Sequence, residues 1–283
     1  MFSRAEAATF VPDGEALAPA LAHTTHLGVG AHADDLEIMA IHGILACYAR
    51  TDRFFCGAIV TDGAGSPRGS AVLDRATPER ATLRETRRRE QERAATLGQY
   101  GAQVFLDHTS ERVKDAHDES IVEDLVALLR ATRPEVVYTH ALSDTHDTHV
   151  AVALRLVAAC RALAPNERPA RVLGCEVWRD LDWLPAADKI LLAADERPEL
   201  QAALLAVFES QLAAKAYDRA ALGRRAAHAA FSESHHADRH TGVVWAMDLA
   251  PLVAGNVAPA EYARSLVRRL EDDVTARIAR LSG

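Results

Sequence analysis

His32, Asp34 and Asp35 stand in the stretch Leu27-Gly-Val-Gly-Ala-His-Ala-Asp-Asp-Leu-Glu-Ile38, where a short apolar run ends in a glycine pair and an amphipathic pattern begins. The end of a buried strand is a concave, partly dry place. An imidazole and two carboxylates there need a partner, and a divalent metal ion is the simplest one. A second group, Ser143-Asp-Thr-His-Asp-Thr-His149, supplies two further histidines, His146 and His149. Two histidines and one carboxylate around a zinc ion, with a position left open for water, make a hydrolytic centre.

The elements that must position these residues follow from the apolar periodicity. Strands are expected at His26–Ala31, Phe54–Thr61, Ala102–Leu106, Glu135–Thr139, Arg171–Trp178 and Lys189–Ala193, with a further one over Thr241–Leu249. Between them fall a helix capped by Asp34 or Asp35 and running to about Arg50, a charged helix over Pro78–Leu97, a third over Glu119–Ala131, and a long one from His146 to Leu163. The charged helix, with arginines 80, 84, 87, 88 and 89 among glutamates 79, 85, 90 and 92, reads as a solvated, ion-paired face. Alternating strands and helices predict an α/β fold: a doubly wound, Rossmann-like, mostly parallel sheet with helices on both faces. Residues 1–283 read as one domain, with an irregular lead-in over 1–25 and a helix-rich C-terminal decoration over 195–283. A sheet whose order reverses between the strands at 26–31 and 135–139 would bring their C-terminal ends together at the crevice where ligands bind.

Two simpler readings compete with the metal site. Gly28-Val-Gly30-Ala-His-Ala33 fits the relaxed dinucleotide fingerprint, but Asp34, Asp35 and Glu37 would set negative charge beside a pyrophosphate. Asp34 and Glu37 also fit a capping box, which leaves Asp35 and His32 without a role.

The residues carry a family resemblance. Ala31-His-Ala-Asp-Asp-Leu-Glu37 resembles the A-H-P-D-D-x-E motif of the PIG-L/LmbE-like zinc-dependent N-acetylglucosaminyl deacetylases, and His146-Asp-Thr-His149 resembles their H-x-D-H motif. Thr61-Asp-Gly and Arg87-x-x-Glu90-x-x-x-Ala94-x-x-Leu97-Gly98 are similar to the intervening segments, so the likeness covers about residues 26–163. Ala33 replaces the usual proline, and Thr148 stands where an aspartate is common. The resemblance implies one Zn2+ per chain on His32, Asp35 and His149. It makes Asp34 the general base, and His146 the group that stabilises the oxyanion or protonates the leaving amine. It implies hydrolysis of an N-acetyl group on an amino-sugar-containing small molecule. Two other classes stay open: a metal-dependent hydratase of an unsaturated carboxylic acid, marked by Arg or Lys converging on the pocket, and a non-catalytic binding protein.

Weaker candidates are Arg68 on the Gly-rich loop as a substrate contact, His140 and His42 as buried supporting histidines, and Ser232–His240 as a polar rim. A formal net charge of −8 argues against nucleic-acid and anionic-membrane surfaces. Cysteines 47, 56, 160 and 175 form no C-x-x-C pair and read as small buried hydrophobes. With no leader pattern and no apolar run of membrane-spanning length, the chain reads as cytoplasmic, with a homo-oligomer compatible with all of this.

Overall fold

The computed structural model describes residues 1–64, 78–212, 215–232 and 235–283. Among these, eight strands form one sheet: β1 (Ala8–Phe10), β2 (His26–Gly30), β3 (Phe55–Thr61), β4 (Ala102–His108), β5 (Val136–His140), β6 (Arg171–Cys175), β7 (Ile190–Ala193) and β8 (Val243–Asp248). Their order is β1-β4-β3-β2-β5-β6-β8-β7. The five central strands are parallel, while β1 pairs antiparallel with β4, and β8 lies antiparallel between β6 and β7.

The central strands are apolar on both faces because both faces are covered. Cys56, Ala58 and Val60 of β3 join one core with Leu125 and Leu128 of helix Ser120–Thr132 and Val152 and Leu156 of helix Asp147–Ala162. Phe55 and Ile59 of the same strand join the opposite core, with Leu36, Met39, Ile44 and Leu204. The doubly wound, mostly parallel sheet is as the strand and helix alternation predicts, and β2 and β5 are neighbours, with His26 against Val136 and Gly28 against Tyr138. The sheet order reverses between them, since β3 and β4 lie on one side of β2 and β5 and β6 on the other.

Gly28 serves packing here. A Cβ on it would meet the Phe55 ring at 2.7 Å and Leu36 at 2.9 Å, so the bare backbone lets the next helix close onto β2.

Several elements depart from the sequence reading. The lead-in carries β1 and a helix at Leu17–Ala22. The helix expected to run to Arg50 is two helices, Asp35–Met39 and Ile41–Cys47. The cause is buried Arg225, 188 residues beyond Glu37 in the chain, whose guanidinium donates to the carbonyls of Glu37 and Ile38 and takes acceptors that a continuous helix would use. The C-terminal stretch is more than decoration, because β8 is an inner strand of the sheet. Among the described residues, no helix is long and apolar enough to cross a membrane.

Candidate metal centre

The ends of β2 and β5 deliver the histidines and carboxylates to one place. His32 follows β2, Asp35 opens the first helix after it, His140 ends β5, and His146 and His149 come from the start of helix Asp147–Ala162. The side chains form two overlapping groups that share His149: His32 with His146 and His149, and Asp35 with His140 and His149. Nδ1 of His32 lies 3.1 Å from Nε2 of His149 and 3.6 Å from Oδ2 of Asp35, and Nε2 of His149 lies 3.5 Å from Oδ1 of Asp35. Donors bound at 2.0–2.1 Å in a tetrahedron sit about 3.3 Å apart, so this spacing fits a zinc-sized ion.

The hydrogen-bond partners sort the imidazoles. Nδ1 of His149 faces the Asp144 carboxylate at 3.4 Å without closing a hydrogen bond, which favours a proton on Nδ1 and a lone pair on Nε2. Nε2 of His140 accepts the backbone N–H of Ala31 at 2.9 Å, and it also stands 3.3 Å from Oδ2 of Asp35. Its lone pair is therefore engaged, and the ring stacks on His149 with centroids 3.9 Å apart. Nδ1 of His146 accepts the N–H of Thr148, which puts the proton of the neutral ring on Nε2 and makes that atom a donor.

The two adjacent aspartates have opposite surroundings. Burial alone would raise Asp35, but His149 and His140 beside it hold its carboxyl well below the usual carboxylate range, and it also accepts the N–H of His32 at 2.7 Å. Asp34 is pushed well above that range by burial and by the neighbouring Asp35 charge, against the opposing pull of Tyr217 and Arg87. Its backbone has φ 86°, a left-handed conformation uncommon for a residue other than glycine. No capping bond forms from the Asp34 side chain, and the Glu37 carboxylate turns away to accept from Tyr100 and Gln91. The capping-box reading is thus overturned, because buried donors outside the helix claim Glu37.

Burial lowers the His149 pKa to about 4 and also lowers that of His146, so both rings are neutral near pH 7.

Sequence reasoning missed several supports of the site. Asp144 binds the N–H groups of His146 (2.9 Å) and Trp178 (3.0 Å), and its place in the second motif was its only signal. Arg87, read as part of a solvated face, donates to the Gly63 carbonyl and lies near Asp34. Tyr217 reaches Asp34 from the C-terminal region, with its hydroxyl buried. A pocket of 170 Å³ opens beside Asp35, with Trp178, Lys215, Tyr217 and Arg224 among its walls. His42 is remote, meeting the carbonyl of Ala193. His236 and His240 line a separate pocket with Lys189 and Trp245. Arg68 lies outside the described residues.

Residues 27–160 match the profile of the PIG-L family, described as GlcNAc-PI de-N-acetylase. A search of curated proteins gave no significant match. Among solved structures, the fold is similar to a conserved protein of Thermus thermophilus (TM-score 0.61, 18% identity, covering 81% of this chain and 95% of that one). It is similar to the N,N'-diacetylchitobiose deacetylase of Pyrococcus horikoshii (TM-score 0.59, 15% identity, 83% and 88%). It is also similar to the 4-carboxy-2-hydroxymuconate hydratase of Pseudomonas putida (TM-score 0.59, 17% identity, 81% and 97%). Residues 27–160, which carry both histidine and aspartate clusters, are therefore a PIG-L domain.

Proposed function

We propose that the chain is a zinc-dependent amide hydrolase that removes an N-acetyl group from an amino-sugar-containing small molecule. His32, Asp35 and His149 would hold the ion, and the observation that carries this reading is their mutual spacing of 3.1 to 3.6 Å. When bound, such an ion lowers the pKa of water and polarises an amide carbonyl.

The chain's own residues supply the rest. Asp34 stands next to a ligand yet outside the donor cluster, and its raised proton affinity suits a group that takes a proton from attacking water and returns it to the departing amine. Tyr217 and Arg87 oppose that rise, keeping the carboxylate within reach of ionisation. His146, neutral and with its Nε2 proton free, donates to the oxygen that gains charge as the carbonyl carbon becomes tetrahedral. The pocket beside Asp35 takes the remainder of the substrate. The family domain and the chitobiose deacetylase among similar folds support an N-acetyl amino sugar as that substrate.

A second reading has one specific observation in its favour. Lys215 and Arg224 both line the pocket, as an acidic substrate would need, and one similar fold is that of a hydratase. The experiment is a screen of zinc-loaded protein for acetate release from N-acetylated amino sugars, run beside hydration of enoic acids. Acetate release that disappears on chelation and returns with zinc supports the hydrolase. Hydration without acetate release refutes it.

A further inference from the structure

The helix Pro259–Leu281 rests on the body through its first turns, where Leu266 is buried, whereas every residue from Glu271 to Gly283 is exposed. Along it Val267, Val274, Ile278 and Leu281 are 53, 44, 60 and 76% exposed. With the partly covered Leu270 they form one apolar stripe. The stripe reads the same in both directions from Val274, because Leu270 and Ile278 stand equally far on either side, as do Val267 and Leu281. An isologous pairing of antiparallel helices needs this symmetry, since a two-fold axis sets each position against its mirror position.

We propose that this helix docks on the same helix of a second copy of the chain, antiparallel and centred on Val274. The pairing sets Val274 against the partner's Val274, Leu270 against the partner's Ile278, and Val267 against the partner's Leu281, forming successive apolar layers. On one flank Asp273 and Arg277 form an ion pair within the helix, and the two-fold operation brings Arg277 alongside the partner's Asp273. A parallel pairing would instead bring Glu271 close to the partner's Asp273 and place both bodies at the same end. In the antiparallel arrangement the two Leu266 anchors lie about 24 Å apart along the axis, which leaves the bodies at opposite ends. A membrane surface fits the helix poorly, because Glu271, Asp272 and Asp273 offset arginines 268, 269, 277 and 280.

The test combines sedimentation of the full chain with cysteine crosslinking, which is clean because the four native cysteines are buried. The wild-type chain should sediment as a dimer and V274E as a monomer with an unchanged thermal transition. Under mild oxidation V274C should crosslink to itself. V267C alone should stay uncrosslinked, but should link to L281C when the two variants are mixed. A monomeric wild type, a dimer that survives V274E, or self-crosslinking of V267C would each overturn the proposal.

Discussion

The carboxylate of Asp144 lies 3.4 Å from Nδ1 of His149, on the opposite side of the ring from Nε2, which faces His32 and Asp35. A carboxylate in that position favours the tautomer with its proton on Nδ1 and biases the ring's orientation. Asp144→Asn keeps the shape, and through its side-chain oxygen keeps one acceptor for the N–H groups of His146 and Trp178. Metal titration of the folded variant should show affinity lower by about 10- to 100-fold. Unchanged affinity would mean that His149 is oriented by its packing alone.

His146 separates donor from ligand. With Nδ1 taken by the Thr148 N–H, its Nε2 carries a proton. His146→Ala should retain bound zinc while losing about 10²- to 10³-fold in turnover, the usual cost of one oxyanion donor. Zinc analysis after dialysis checks the first half, and loss of the ion would move His146 into the ligand set.

His26 gives the fold an acid-sensitive point away from the centre. Burial, then the charges of His42, Arg53 and Arg171, lower its pKa from 6.5 to about 4. The folded state thus refuses a proton that the unfolded chain accepts, so this contribution is intact above about pH 6.5 and is lost progressively toward pH 4. His26→Phe keeps a ring against Tyr138, on which His26 stacks, and removes the titration. Denaturant unfolding from pH 7 to 4 should show a shallower loss of stability in the variant. Parallel curves for the two proteins would place the acid sensitivity elsewhere.

All four cysteines are buried and their thiols are pushed up by that burial, those of Cys47, Cys56 and Cys160 to about 12. A thiol reagent should react with none of them in the native protein and with four in denaturant. Fast labelling of the folded chain would count against the described core.

What the sequence made legible tracks how local the determining physics is. Strands β2, β3 and β5 announce themselves because continuous apolar runs buried on both faces leave little else for those residues to do. The motif residues His32, Asp35, His146 and His149 were visible because charge at the end of an apolar strand is out of place, and the sheet reversal brings them together. β1 was illegible: three half-buried residues at a sheet edge carry no period. The break at Ala40 and the surroundings of Asp34 depend on Arg225, Tyr217 and Arg87, which reach these places only through tertiary packing. Arg87 looked solvated because its helix is dense in charge, and only the fold turns that one arginine toward Gly63 and Asp34.

The central claim is that Asp35 and His149 bind the ion while the adjacent Asp34 serves as the base. The most direct measurement is zinc stoichiometry of purified wild-type, H149A and D34N proteins, taken with turnover on whichever N-acetylated substrate the screen identifies. The account predicts one zinc per chain in the wild type and in D34N, a loss in H149A, and turnover of D34N lower by about 10²- to 10⁴-fold. Zinc lost from D34N, or retained in H149A at the wild-type level, would contradict it.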